Sequence, residues 1–106
     1  MKIALASPPF PSDINDGLAW LEKLVKDAAG KQAEIICFPE SYLPGYPGMG
    51  YSAADRTREV LQIALDKVCG IAAEHSIAII VPMDWYNNNQ LFNVAFVISA
   101  KGEILG

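Results

Sequence analysis

Three short apolar runs in this chain each stop at a proline. They cover residues 3–7, 34–38 and 77–81, and the prolines that close them are Pro8, Pro39 and Pro82. Continuous apolar runs of this length are typical of strands that are covered on both faces. Proline ends a strand because it has no N–H to donate to the neighbouring strand. The sequence therefore predicts three buried strands, each followed by a turn.

Two helical patterns separate these runs. Apolar residues recur every three or four positions in each pattern, as on the buried face of a helix. They are Leu18, Leu21, Leu24, Val25 and Ala28 in the first pattern, and Leu61, Leu65, Val68, Ile71 and Ala72 in the second. We expect the first helix to begin from a cap within residues 11–13 and to end at Gly30. Ser52 and Asp55 resemble a capping box for the second helix.

The last part of the chain predicts a hairpin. Residues 87–89 are three asparagines that suit a turn, residues 91–99 form a fourth strand, and Lys101-Gly102 forms a tight turn before a fifth strand at 103–105. The order is β-α-β-α-β-β, which predicts an α/β fold with a mixed sheet. Alternating strands and helices pair in parallel, and the hairpins add antiparallel pairs. Residues 1–106 are expected to form a single domain.

Composition excludes several partners and locations. The 106 residues are 52% hydrophobic and 19% charged, with a net charge of −4 and no Lys/Arg cluster. This balance argues against a nucleic-acid or anionic-membrane partner. No apolar run approaches the roughly 18 residues that a spanning helix needs, and Pro8-Pro9 interrupts the only candidate leader. We therefore expect a cytoplasmic protein whose two cysteines, Cys37 and Cys69, are reduced buried thiols.

Glu40 is the main candidate for chemistry. It follows Phe38-Pro39 at the carboxyl end of the second predicted strand, which is where open α/β sheets bind ligands. A carboxylate shielded from water near Tyr42 and Tyr46 would suit a general base. From position alone, a solvated loop carboxylate or a turn cap is the other interpretation.

Four blocks of the sequence together resemble one family. They are Ile-Ile-Cys-Phe-Pro-Glu-Ser-Tyr-Leu-Pro-Gly-Tyr-Pro at 35–47, Ile-Ala-Leu-Ala-Ser-Pro at 3–8, Leu-Phe-Asn-Val-Ala-Phe-Val-Ile at 91–98, and Lys-Gly-Glu-Ile-Leu-Gly at 101–106. In this order and spacing the chain resembles the N-terminal portion of the nitrilase, or carbon–nitrogen hydrolase, superfamily. That family includes nitrilases, aliphatic amidases and N-carbamoyl amino-acid amidohydrolases.

The resemblance implies the N-terminal part of an α-β-β-α sandwich and a Glu-Lys-Cys site without metal or organic cofactor. It places the glutamate at Glu40, where it takes the proton from the cysteine thiol and then activates water. The substrate is expected to be a small nitrile or amide, with Tyr46 as a substrate-binding residue, and the assembly a homo-oligomer. The family's lysine and cysteine fall beyond Gly106, so the 106-residue domain is incomplete and expected to be inactive alone.

The lysine and the cysteines of this chain that were considered do not fill the roles of the family's lysine and cysteine. Lys101 lies inside a turn, before the strand that the family's lysine follows. Cys37 is three residues before Glu40, so alternation along a strand directs it to the opposite face. Cys69 lies next to Val68 on the helical stripe, which is not a nucleophile elbow.

Other polar and aromatic residues have two interpretations each. His75 suits a helix end, as a surface histidine rather than a catalytic one. Residues 84–86, Asp-Trp-Tyr, follow Pro82 and either line the same crevice as Glu40 or form a packed Trp/Tyr pair. Asn93 is expected to hydrogen-bond in the hairpin. Tyr42 and Tyr46 either shape a pocket or pack within the loop.

Two other kinds of protein remain as alternatives. One is a non-catalytic fragment or assembly module, whose unpaired fifth strand and uncovered sheet face seek a partner. The other is a flavodoxin-like binding module, but residues 8–11 are Pro-Pro-Phe-Pro where such a module needs a glycine-rich phosphate loop. That composition argues against the flavodoxin-like alternative.

Overall fold

A computed structural model describes residues 1–9, 12–39, 42–44, 57–87 and 90–106, without the side chain of Asn87. In these ranges the chain forms two helices and four strands. They are β1 (Ile3–Leu5), α1 (Ile14–Gly30), β2 (Ile35–Cys37), α2 (Arg58–His75), β3 (Ala78–Asn87) and β4 (Gln90–Ile98).

The four strands form one sheet in the order β1-β2-β3-β4. β1 pairs with β2 in parallel, with Ile3 opposite Ile35, and β2 pairs with β3 in parallel. β3 and β4 form a long antiparallel hairpin that runs from the pair Ile79–Ile98 to the pair Asn87–Gln90. A helix joins each parallel pair, so the predicted α/β class and the mixed sheet are confirmed.

The core lies between the two helices and one face of the sheet. Alternate residues of the strands face it, because successive side chains of a strand point to opposite faces. From the sheet these are Ile36, Phe38, Ile79, Val81, Met83 and Ile98, and from the helices they include Leu21, Val25, Leu61, Leu65 and Val68. The predicted apolar stripe of α2 is confirmed, since each of its five residues is buried.

The opposite face of the sheet is open among the described residues. Ile3, Leu5 and Val97 are 56%, 80% and 37% exposed. The prediction that the first strand is buried on both faces is therefore wrong. The physical reason is that α1 and α2 pack against each other and against the same face of the sheet. The result is one helix layer and one sheet layer.

Both helices begin at polar caps. The Asp16 N–H donates to Asp13 Oδ1 over 2.7 Å, which confirms a cap within residues 11–13. α2 begins at Thr57, whose Oγ1 accepts from the Val60 N–H over 3.2 Å. The predicted capping box of Ser52 and Asp55 lies outside the described residues. Neither helix in the described ranges is long and apolar enough to cross a membrane.

The end of α1 lies at the predicted glycine, with the C-cap one residue later. Gly30 is the last helical residue, and Lys31 is the C-cap with φ of −93°. Gln32 takes the left-handed backbone conformation, with φ of 65°. The C-cap therefore lies one residue after Gly30, and the left-handed residue lies two residues after it.

β3 passes through Pro82 instead of ending there. The N–H groups of Ala78 and Asp84 and the carbonyls of Ile80 and Pro82 all face the β2 side of β3. The missing N–H of Pro82 therefore belongs to that side, at a level where β2 has already ended. No bond to β4 is lost, so the proline is tolerated within the strand. The prediction that Pro82 closes the strand is wrong for this reason.

The turn after β4 is confirmed. The Gly102 N–H donates to the Ser99 carbonyl over 2.9 Å, and Gly102 has φ of 83°, which favours glycine. Ser99 Oγ accepts from the N–H groups of Lys101 and Glu103, each over 3.2 Å. The predicted fifth strand is present as a single antiparallel bridge between Ile98 and Ile104.

Candidate active site at the carboxyl ends of β2 and β3

The hydrogen-bond ladder between β2 and β3 is interrupted on the β2 side by extra residues of the chain. The Phe38 N–H donates to the Ile80 carbonyl over 3.0 Å, and the Leu43 N–H donates to the Pro82 carbonyl over 3.3 Å. Ile80 and Pro82 are successive acceptors on β3, so a regular parallel partner would place one residue between the two donors. Here four residues, 39–42, stand between them. We call these four residues the 39–42 insertion.

Leu43 fixes the far end of the insertion. Its side chain is fully buried, and its carbonyl accepts from the Asp84 N–H over 2.8 Å. Leu43 and Met83 form a parallel bridge, so the chain rejoins the sheet there. The insertion is consequently held to β3 at both of its ends.

Tyr42 connects the insertion to α1. Its hydroxyl donates to the Gly17 carbonyl oxygen over 2.7 Å, and the residue is only 5% exposed. Its ring lies 5.1 Å from the ring of Phe38, centroid to centroid. Burial, with a smaller contribution from the Asp16 carboxylate, raises the pKa of the Tyr42 phenol. The hydroxyl therefore keeps the proton that it donates.

Of the residues singled out in the sequence, two lie outside the described ranges. They are Glu40 and Tyr46. Their roles stay predictions. The sequence allowed two roles for Tyr42, shaping a pocket or packing within the loop. In the structure Tyr42 is part of the hydrophobic core. The phenylalanine-proline-glutamate pattern gave no indication of its bond to Gly17, which joins positions that are 25 residues apart.

Asp84 is the only buried polar or charged residue in the part of the chain that the structure describes. It pairs in register with Asn93 of β4, next to the point where Leu43 rejoins the sheet. Trp85 packs instead toward the helices, edge-on to Phe96 with 5.0 Å between ring centroids. The sequence offered two interpretations of residues 84–86, a crevice lining and a packed Trp/Tyr pair. Trp85 does pack against an aromatic ring, but that ring belongs to Phe96 and not to Tyr86. Asp84 lies beside the insertion.

The two cysteines are free and half-buried, so the prediction that both are buried is wrong. Cys37 alternates with the buried Ile36 and Phe38 and so belongs to the open face of the sheet. Cys69 lies in α2, where burial and then the Asp66 carboxylate raise the pKa of its thiol. A raised pKa reduces the thiolate fraction, which is the opposite of what a nucleophile needs.

One group of side chains has the composition of a metal site. Glu22 of α1 and Glu74 and His75 of α2 each offer a ligand atom within 4.8 Å of the others. His75 Nε2 lies 4.0 Å from Glu74 Oε2, and the His75 side chain is 18% exposed, so the predicted surface histidine is partly buried. Both carboxylates are exposed, and Lys23 and Lys26 line the same recess. Exposed acidic groups commonly gather in this way without a metal, so we assign none.

A layer of two helices on one face of a mixed four-stranded sheet is the architecture of the N-terminal part of the nitrilase fold. The family model for carbon–nitrogen hydrolases matches residues 2–106. The chain belongs to the carbon–nitrogen hydrolase family.

Relatives of known activity are nitrilases. The chain is 27% identical over 93 residues to an arylacetonitrilase from Aspergillus niger, a match that covers 78% of this chain and 28% of that enzyme. It is 25% identical over 95 residues to an aliphatic nitrilase from Rhodococcus rhodochrous, covering 77% of this chain and 26% of that enzyme. The chain therefore matches less than a third of the length of these relatives.

Similar solved structures are amidases. An amidase from Nesterenkonia sp. has a TM-score of 0.86 and 25% identity, and the match covers 100% of this chain and 41% of that one. A mutant of this amidase in complex with butyramide has a TM-score of 0.84 at 25% identity, covering 99% of this chain and 41% of that one.

Proposed function

We propose that this chain contributes the general base, Glu40, to an enzyme that hydrolyses a non-peptide carbon–nitrogen bond in a nitrile, an amide or an N-carbamoyl compound. The observation that carries the proposal is the family match over residues 2–106, which includes the Phe38-Pro39-Glu40 sequence at the end of β2. The missing members of the site, a lysine and a nucleophilic cysteine, would come from residues that follow Gly106 in the family's order.

The chemistry proceeds in two stages. Glu40 accepts the proton of the cysteine thiol, and the thiolate attacks the carbonyl or nitrile carbon. The lysine stabilises the negative charge that develops on the substrate. For an amide, the C–N bond breaks, ammonia leaves with the proton, and an acyl thioester remains. Glu40 then removes a proton from water, which attacks the thioester and releases the carboxylic acid and the thiol.

The described residues hold both ends of the segment that contains Glu40. The strand that precedes Glu40 ends in a bond from Phe38 to Ile80, and the segment that follows is bonded through Leu43 to Pro82 and Asp84. Proton transfer requires the carboxylate within hydrogen-bonding reach of the thiol, so a base needs a rigid support.

The substrate class rests on the relatives and is a proposal for this chain. The curated relatives cleave nitriles, by their names, and one similar amidase binds butyramide. We propose Tyr46, in the Pro-Gly-Tyr-Pro sequence after Glu40, as a residue that contacts the substrate. A homo-oligomer and a cytoplasmic location also remain proposals.

The test uses the full open reading frame that contains these residues. Ammonia release from butyramide and from phenylacetonitrile is measured for the wild type, Glu40→Gln and the control Glu22→Gln. Glu22 is an exposed glutamate of α1 and lies apart from the strand ends. We expect Glu40→Gln to lower kcat at least about a hundredfold, the usual scale of acid–base catalysis, and Glu22→Gln to leave it unchanged. An active Glu40→Gln enzyme would overturn the proposal.

The 106-residue chain gives a complementary test. It should show no Glu40-dependent turnover if the nucleophile lies elsewhere. Turnover that survives Cys37→Ala together with Cys69→Ala, but not Glu40→Gln, would contradict the assignment of the thiol to residues after Gly106.

The second candidate function is a non-catalytic assembly module. The observation in its favour is the open apolar face of the sheet, where Ile3, Leu5 and Val97 are exposed. Light scattering on the 106-residue chain distinguishes the two. A concentration-dependent dimer that Leu5→Lys dissociates would favour assembly through this face, and a stable monomer would count against it.

A further inference from the structure

We infer that Tyr42 is a positioning residue for the proposed base Glu40: it attaches the chain two residues after Glu40 to α1 and so limits where the Glu40 backbone can lie. The inference rests on the proposed function, because it concerns how the proposed base is held. It adds a residue with a defined task that lies outside the Glu-Lys-Cys set.

The sheet alone constrains only the ends of the insertion. Phe38 and Leu43 bond to carbonyls of Ile80 and Pro82, which are two residues apart on β3 and so about 7 Å apart. Four residues are far more chain than this gap requires, since each can span about 3.3 Å. The two ladder bonds therefore leave the position of the middle of the insertion undetermined.

Tyr42 supplies the third point of attachment. Its hydroxyl donates to the Gly17 carbonyl of α1 over 2.7 Å, and its ring packs against Phe38 at the start of the insertion. These contacts join the segment to both layers of the fold, the helix layer and the sheet. Glu40 is only two residues from Tyr42 along the chain, so a fixed Tyr42 limits where the Glu40 backbone can lie.

The bond is suited to this task because it is short and buried. Tyr42 is 5% exposed, so water does not compete strongly for the hydroxyl or for the Gly17 carbonyl. The carbonyl has a second lone pair and can accept from the phenol while it takes part in the helix.

The test is a double-mutant cycle in the full open reading frame, with ammonia release from butyramide and phenylacetonitrile as the readout. Tyr42→Phe removes the hydroxyl and keeps the ring. We expect kcat to fall about tenfold or more with KM little changed, because a displaced base slows proton transfer. In the Glu40→Gln background the same change should have no further effect, because the carboxylate that Tyr42 positions is already absent.

A control separates positioning from general loss of stability. Ile79→Val removes one buried methylene from β3 on the helix side, away from the insertion. It should lower stability, as checked by urea denaturation, and leave kcat unchanged. A wild-type kcat for Tyr42→Phe, or an equal loss of kcat in Ile79→Val and Tyr42→Phe, would overturn the positioning role. So would effects of Tyr42→Phe and Glu40→Gln that multiply.

A measurement without substrate distinguishes the two proposals. In the protein from the full open reading frame, Tyr42→Phe should speed amide hydrogen exchange at Glu40 and Ser41 more than Ile79→Val does. If exchange at these positions is unchanged, the positioning role fails whatever the enzyme does. If exchange responds but Glu40→Gln leaves the enzyme active, the anchor stands as a structural feature and the catalytic role of Glu40 fails, and with it the positioning role.

Discussion

Gly102, in the turn after β4, lies directly against the backbone carbonyl of Cys69 in α2. A Cβ atom at position 102 would come within 2.7 Å of that oxygen and 3.2 Å of the Ala73 Cβ. The glycine also has φ of 83°, a conformation that L side chains rarely adopt. The turn thus packs closely against α2. Both the backbone conformation and the lack of space for a Cβ atom require glycine at position 102.

We therefore expect Gly102→Ala to reduce the free energy of unfolding by about 2–3 kcal/mol, from backbone strain together with a clash against helix backbone. Urea denaturation followed by circular dichroism measures the change. The matched control is Gly70→Ala in the middle of α2, where an added Cβ meets nothing within 4 Å. That variant should gain up to about 1 kcal/mol from helix propensity. Similar effects of the two substitutions would contradict this account.

The core face of α2 gives a second prediction. Leu61 is fully buried, whereas Ile63, two residues later, is 56% exposed. Leu61→Ala should cost about 2–5 kcal/mol, because it removes apolar contacts and leaves a cavity. Ile63→Ala should change the unfolding free energy by no more than about 0.5 kcal/mol. If urea denaturation shows that Ile63→Ala lowers the unfolding free energy as much as Leu61→Ala does, the Ile63 side chain must be buried in solution.

Stability at high pH depends on Tyr42. Its phenol has a folded pKa raised above the ordinary value of 10, so its contribution is fully present below pH 10 and is lost as pH rises through the folded pKa. Between these two values only the unfolded chain has released the proton. The free energy of unfolding should then fall by up to about 1.4 kcal/mol per pH unit from this residue.

Urea denaturation at pH 9, 10 and 11 compares the wild type with Tyr42→Phe. The difference in stability between the two should shrink as pH rises above 10, because the variant has no phenol to titrate. Groups that titrate in both proteins cancel in the difference. A constant difference across this range would show that the phenol ionises equally in the folded and unfolded states.

The thiol of Cys69 should react slowly in the folded chain. Burial and Asp66 raise its pKa, which lowers the thiolate fraction near neutral pH. In a Cys37→Ala variant of the 106-residue chain, where Cys69 is the one remaining cysteine, reaction with iodoacetamide at pH 8 should be slower in buffer than in 8 M urea. Equal rates in the two conditions would show that neither burial nor charge restrains this thiol.

Much of the fold follows from local patterns. The apolar runs and the helical stripe of Leu61, Leu65 and Val68 depend on backbone periodicity, and these elements form where the patterns predict them. The turn at Gly102 also follows from local chemistry, because few residues tolerate its backbone conformation. The family resemblance that identifies Glu40 rests on short contiguous blocks, so it too was accessible without a structure.

Features that depend on contacts between residues distant in the chain could not be predicted from the sequence. Pro82 was expected to end β3, but the strand continues because β2 has already ended on the side where the proline lacks its N–H. Ile3 and Leu5 were expected to be buried, but both helices cover the other face. In each case the outcome depends on which helix or strand packs beside the residue. The apolar pattern of a single segment does not indicate which element that will be.

The sequence by itself determined the order of strands and helices, the α/β class and the position of the acidic motif after β2, because these depend on local periodicity and on contiguous residues. Only the tertiary structure decided that residues 39–42 form an insertion between successive bonds to β3 and that Tyr42 joins this insertion to Gly17. Those bonds connect residues that are distant in the chain, and their partners are set by how the layers pack.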